Sequence, residues 1–170
     1  MSRIKKFWAL YNTVWWWEWE KCLYPSRLDT YGQWCSHNCS YCYARALLDF
    51  RWLWHPNNPK FIDLKEAYRI IATEIPKWQI TRLWWMTDCF QPVEKVHRRT
   101  LNVLKAFNHY RKWYLIVTKS DLIVSDEYLQ VLDKDLAHIQ ITITSTDDEL
   151  AATYEKATRV SDRIKAIEKL

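Results

Sequence analysis

Cys35-Ser-His-Asn-Cys39-Ser-Tyr-Cys42 places three cysteines in eight residues, separated by three and then two others. Thiolates select iron-sulfur clusters, zinc or Cu(I), and structural zinc sites and electron-transfer clusters normally take four protein ligands. Three thiolates can hold a four-iron cluster and leave one iron without a protein ligand, open to chemistry. A zinc site is the competing reading, with His37 inside the loop and Cys22 or Cys89 completing the set; unligated thiols are the third.

Outward from this loop the chain alternates strand and helix patterns. A short strand over 28–31 precedes the cysteines. Leu64, Ala67, Tyr68, Ile71, Ala72 and Ile75 recur at helical spacing until Pro76. Residues 80–86 read as a buried strand. Val96, Val103, Leu104 and Phe107 mark one face of the next helix, with Pro92 near its first turn. Residues 113–117 are continuously apolar, as in a parallel strand covered on both faces. Ser125 is placed to cap a helix reaching about Leu132. Ile139, Ile141 and Ile143 alternate with polar residues, so one face meets helices and the other a lumen. Thr146 to Glu149 fits a capping box, and Ile164, Ile167 and Leu170 mark a last amphipathic segment. Four strand-helix units imply a parallel sheet with right-handed crossovers.

In parallel α/β architectures ligands gather beyond the carboxyl ends of strands. At those ends stand the cysteine loop, Met86-Thr-Asp-Cys-Phe-Gln-Pro-Val-Glu94, Val117-Thr-Lys-Ser120 and Thr144-Ser-Thr-Asp147. Taken in order, these segments resemble the radical S-adenosylmethionine (SAM) superfamily, and within it the spore photoproduct lyase-related branch. The resemblance runs from about Ser26 to Leu170. It implies an α/β fold, a partial (β/α) barrel with about four units present of an expected six, and residues 1–25 as an N-terminal extension to an incomplete core over 26–170.

It also implies an enzyme in which a 4Fe-4S cluster reductively cleaves SAM to methionine and a 5′-deoxyadenosyl radical. On that reading Cys35, Cys39 and Cys42 hold the cluster. Tyr41 and Tyr43 flank the adenine. Thr87 and Asp88 bind the SAM amino group, Lys119 pairs with the SAM carboxylate as a point charge, and Ser145 donates to ribose or carboxylate. Cys89 is a candidate hydrogen-atom donor, as spore photoproduct lyase uses a cysteine near this segment. The implied partners are an electron donor of ferredoxin or flavodoxin type, nucleic acid carrying a photolesion, and a second chain completing the barrel. A non-catalytic iron-sulfur or zinc module, and an inactive fragment or subunit of a split enzyme, are the alternatives. His37 and His97 read as surface or packing residues.

Composition frames these expectations. No stretch approaches the roughly 20 apolar residues that span a bilayer, and Met1 to Lys6 lacks a signal-peptide apolar region. Five cysteines, clustered rather than spread as a disulfide framework, fit a reducing cytoplasm. The net charge of +5 is dispersed, with no basic patch that demands nucleic acid.

Gly32 is the only glycine beside twelve tryptophans, where average usage gives about 12 glycines. Trp34, Trp78, Trp84, Trp85 and Trp113 occupy turn or strand-end positions that ordinarily favour glycine. We read the two anomalies as one: UGA codons rendered as tryptophan from a source that reads them as glycine. Mass spectrometry of the native protein tests this directly, and tryptophan at 34, 84 and 85 would refute it.

Overall fold

The computed structural model describes residues 11–13, 26–83 and 85–170. Its main sheet has the order β1 (Tyr11–Thr13), β2 (Ser26–Leu28), β5 (Thr81–Arg82), β6 (Tyr114–Thr118), β7 (Ala137–Ile141). The last four strands are parallel, while β1 runs antiparallel along β2. A two-stranded ribbon, β3 (Tyr31–Gly32) with β4 (Lys60–Phe61), lies outside this sheet. The expected strand over 28–31 therefore divides, its first part entering the sheet and its second turning into the ribbon. Cys22 and residues 1–10 lie outside the described residues.

Helices α1 (Tyr43–Phe50), α2 (Leu64–Thr73), α3 (Glu94–His97), α4 (Arg99–His109), α5 (Asp126–Leu129), α6 (Asp148–Ala152) and α7 (Val160–Lys169) connect and follow the strands. The core lies between one face of the sheet and α2 and α4. Leu28, Leu83 and Ile116 pack there with Ile70, Ile71, Leu104 and Phe107. Ala137, Ile139 and Ile141 of β7 join the same side, as their alternation predicts. The end of α2 is held by Lys112. Its buried ammonium donates to the carbonyls of Ile71, Ala72 and Ile75, groups that would otherwise be orphaned at a helix C-terminus.

Three local expectations are corrected. The helix expected around residues 96–107 is broken at Arg98, whose φ of 49° is left-handed, and Val96 is 76% exposed rather than facing the core. Glu94 causes this break. Its carboxylate turns inward and accepts the Thr100 and Leu101 N–H groups at 3.0 and 2.9 Å, starting a new helix. The capping residue of α6 is Asp147, not Thr146, because the Asp147 carboxylate accepts the Glu149 and Leu150 N–H groups. In α7 the buried residues are Val160, Arg163 and Ala166, leaving Ile164, Ile167 and Leu170 largely exposed.

The end of α1 bears on the tryptophan anomaly. Trp52 has a φ of 57°. The Trp52 N–H donates to the Asp49 carbonyl and the Leu53 N–H to the Leu48 carbonyl, at 2.9 and 2.8 Å. These are the two bonds of a Schellman motif, with Trp52 at the left-handed position normally held by glycine. Its indole is 90% exposed, so packing does little to offset the backbone cost. Trp52→Gly is expected to raise stability by about 1 kcal/mol, the usual left-handed penalty, as checked by denaturant titration. Trp34, Trp78, Trp85 and Trp113 are not among the residues with positive φ.

Candidate functional site

The cysteine loop lies between β3 and α1, at the carboxyl ends of the parallel strands. Two successive turns shape it, closed by Asn38 N–H to Cys35 carbonyl at 3.3 Å and Cys42 N–H to Cys39 carbonyl at 3.2 Å. Cys42 is also the N-cap of α1, its Sγ accepting the Arg45 N–H at 3.4 Å, while Arg45 Nη1 reaches back to Asn38 Oδ1 at 2.7 Å. The rest of the fold clamps the loop from outside. Gln91 Oε1 accepts the Ser36 N–H at 3.1 Å. The segment after α6 contributes the Lys156 N–H to the His37 carbonyl at 2.7 Å and the Tyr154 carbonyl to the Ser40 N–H at 2.8 Å.

The donor set fits a cluster. Each sulfur has a polar neighbour suited to a thiolate. Burial and the Asp88 charge push the Cys35 thiol up to about 12, against the opposing N–H groups of Asp88 and His37. Burial also raises Cys39, against the Lys119 ammonium and the Tyr41 hydroxyl. Metal binding displaces such protons, and the N–H groups and ammonium then stabilise the anion. Among the described residues no three His, Cys, Asp or Glu side chains converge as ligands of a single ion. A cubane differs from a single ion in that each thiolate binds a separate iron.

Asp88 is the hub beneath the loop. Its Oδ1 accepts the Phe90 N–H and the Thr118 hydroxyl, both at 2.8 Å, and its Oδ2 accepts the Lys119 N–H at 2.7 Å. His37 Nε2 stands 3.1 Å from the same Oδ2, with both side chains buried. Burial acts to raise the Asp88 carboxyl, but His37 and the two N–H groups outweigh it and hold the carboxyl below its ordinary range. Thr87 is likewise engaged, its hydroxyl donating to the Tyr31 carbonyl at 2.6 Å. The structure thus places Thr87 and Asp88 as buried braces between loop and strand ends. His37, expected at the surface or in ordinary packing, is a buried partner of that brace.

Lys119 is nearly buried, its ammonium 5.8 Å from the centre of the Tyr41 ring, within cation-π range. The Tyr41 hydroxyl donates to Glu155, which also pairs with Arg163 and accepts the Thr144 hydroxyl at 3.2 Å. Glu155 and Arg163 carry no motif signal; only their burial reveals them. Tyr43 is exposed, its hydroxyl donating to the Trp85 carbonyl at 2.9 Å. Ser145 Oγ accepts the Asp147 N–H at 3.0 Å and so braces the cap of α6. Cys89 is 1% exposed within the hydrophobic core, and burial drives its thiol well above the ordinary value. Cys89 thus packs among core side chains such as Phe90 and Leu104, whereas Tyr43 on the loop is exposed.

A model of the radical SAM superfamily matches residues 30–170, a span that holds every strand-end segment described above. The chain belongs to the radical SAM superfamily. Its fold is also similar to a solved spore photoproduct lyase double mutant with bound AdoMet and dinucleoside spore photoproduct. That likeness has a TM-score of 0.62 at 14% identity and covers 86% of this chain but 42% of the other. This radical SAM chain thus spans less than half the length of that protein, and at such identity the likeness establishes the fold alone. Comparison with curated proteins finds no match. Among the described residues no helix is long and apolar enough to cross a membrane.

Asp29, at the end of β2, gives the site a pH signature. Its Oδ1 accepts the Trp85 and Met86 N–H groups at 2.8 and 3.2 Å. Burial nevertheless raises its carboxyl from 3.8 to about 6. An acid whose folded value lies above its unfolded value holds its proton more tightly when folded. Stability is therefore lost as pH rises from about 4 to 6, and the deficit is complete above that window. Two units correspond to about 3 kcal/mol. Asp29→Asn is expected to gain stability over the wild type by up to that amount at pH 7 and to lose most of the advantage at pH 4, in paired denaturation curves.

Proposed function

We propose that this chain carries the cluster and SAM site of a radical SAM enzyme. The observation that carries this reading is a loop of three cysteines with, among the described residues, no fourth ligand gathered beside it, braced through Asp88, Gln91 and the 154–156 segment to the strand ends. When bound, the cluster supplies one electron that cleaves SAM to methionine and a 5′-deoxyadenosyl radical. The protein's own work is to hold and orient. Cys35, Cys39 and Cys42 would bind three irons. Lys119 would face the SAM carboxylate beside the Tyr41 ring, and Tyr43, directly after Cys42 and open to solvent, would flank the adenine. Asp88 and His37 would fix the loop.

For the substrate, the spore photoproduct lyase relative holds a dinucleoside, and a nucleic-acid-derived substrate is the reading carried over. A ferredoxin or flavodoxin would deliver the electron, and a further barrel half, on this or a second chain, would cover the open edge at β7. The test is anaerobic reconstitution with iron and sulfide, followed by dithionite and SAM and chromatography for 5′-deoxyadenosine and methionine. Equimolar formation of both is expected. Absence of both from protein bearing a full cluster would reject the catalytic reading in favour of a binding module. Lys119→Ala is expected to weaken SAM binding about tenfold, the order of one charge-assisted contact, with cluster content unchanged.

A further inference from the structure

Residues 154–156 grip the cluster loop on both sides of its middle cysteine, Cys39. The Lys156 N–H donates to the His37 carbonyl before it, and the Tyr154 carbonyl accepts the Ser40 N–H after it. Between these two attachments Glu155 reaches the side chain of Tyr41, whose hydroxyl donates to Glu155 Oε2. The other oxygen, Oε1, pairs with Arg163 Nη2 and accepts the Thr144 hydroxyl at 3.2 Å. Arg163 is fixed in turn, its Nε donating to the Thr158 carbonyl at 2.7 Å and its Nη1 to the Thr142 carbonyl at 3.0 Å. Glu155 and Arg163 are both buried.

A buried ion pair gains little stability, because desolvation of two charges consumes much of their attraction and apolar residues of similar volume often serve as well. What this pair supplies is direction. Arg163 has donors only, so it demands an oxygen on its side of residue 155. The carboxylate then presents its second oxygen to Tyr41, whose hydroxyl has a single proton to give. Burial opposes the Glu155 charge, but the Tyr41 hydroxyl and Arg163 outweigh it and hold the carboxyl below its ordinary range, so this acceptor is present at neutral pH. The Cys39 sulfur lies within reach of the same hydroxyl and inside the field of the Glu155 charge. As a thiolate it would compete with Glu155 for the Tyr41 proton. Hydrogen bonds to the sulfurs and nearby charge are what set the reduction potential of an iron-sulfur cluster.

We propose, resting on the cluster reading above, that Glu155, aimed by Arg163, is a positioning residue that draws the Tyr41 hydroxyl proton away from Cys39 and so lowers the reduction potential of the cluster. With that proton turned to Glu155, the sulfur forgoes a hydrogen bond and faces a negative charge, and both disfavour the added electron. Glutamine at 155 reverses the polarity. Its oxygen must face the Arg163 donors, so its amide N–H groups face the Tyr41 oxygen, and the Tyr41 proton turns to Cys39.

The experiment is potentiometry of the anaerobically reconstituted full chain without SAM, followed by EPR of the reduced cluster. The variants are Glu155→Gln, Tyr41→Phe and their double, with Glu168→Gln, exposed on α7, as the control for loss of a surface charge. Glu155→Gln is expected to raise the potential with iron content unchanged, and Glu168→Gln to match the wild type. In the Tyr41→Phe background the same change at 155 should raise the potential less, because no hydroxyl remains to turn towards Cys39. An unchanged potential in Glu155→Gln overturns the proposal. An equal rise with and without the hydroxyl also overturns it, since Glu155 would then act as a charge through space and position nothing. If Glu155→Gln fails to fold by circular dichroism, Tyr41→Phe decides, with a shifted potential expected and an unshifted one overturning the proposal. A wild-type chain that assembles no four-iron cluster rejects the cluster reading and the proposal with it, whereas the other contrary results strike the proposal alone.

Discussion

Alanine at Cys35, Cys39 or Cys42 is expected to abolish assembly of the proposed four-iron cluster, so that iron and sulfide contents fall to the background of a mock-reconstituted sample. Two remaining thiolates cannot retain a cubane whose fourth iron already lacks a protein ligand. The fold should survive these changes. Cys35 and Cys42 are only half-buried, and none of the three belongs to the main core between the sheet and α2 and α4. Circular dichroism and the unfolding midpoint should stay close to the wild type for Cys35→Ala and Cys42→Ala. Cys42→Ala also removes the Sγ cap from α1, at a cost of at most about 1 kcal/mol. By contrast Cys89→Ala is expected to leave iron content unchanged and to lower stability, because that thiol fills core volume. Full cluster content in any of the three loop variants would contradict the assignment.

Glu94→Ala is expected to cost the most stability of any single change outside the loop. Glu94 is fully buried and accepts four donors, the Tyr31 hydroxyl, the Tyr128 hydroxyl at 2.6 Å, and the Thr100 and Leu101 N–H groups. Burial, and then the Glu94 charge, drive the Tyr31 and Tyr128 hydroxyls well above their ordinary value, so both remain donors across the working pH range. Alanine orphans all four, at roughly 1 kcal/mol or more each. The sum, about 4 kcal/mol, is most of the stability of a marginal domain. Glu94→Gln retains an oxygen acceptor and should recover part of the loss. Denaturant titration reads both variants, and equal midpoints for Glu94→Ala and the wild type would refute the network's role.

What the sequence revealed and what it hid divide along contact distance. The cysteine loop was legible because its three cysteines lie within eight residues, and the strand-end segments were legible because each follows its own apolar run. The alternation of Ile139 and Ile141 placed β7 correctly against the helices. The His37–Asp88 pair was hidden because its partners stand 51 positions apart and neither residue type announces burial. Glu94 lies 63 positions from Tyr31 and 34 from Tyr128. Helical periodicity alone could not show that it would turn inward and break the helix at Arg98. The same holds for Arg163, which reads as the polar face of α7 until Glu155 and the Thr142 and Thr158 carbonyls gather around it. The burial of Cys89 was not legible, because proximity to Thr87 and Asp88 in sequence says nothing about which side of the strand end a thiol faces.

The central claim is an open iron that meets SAM, and EPR of the anaerobically reconstituted, dithionite-reduced protein with and without SAM addresses it most directly. The account expects a four-iron signal that SAM shifts, with the shift weakened in Lys119→Ala at limiting SAM. A four-iron signal indifferent to saturating SAM, or a protein that takes up zinc and assembles no cluster, would contradict it.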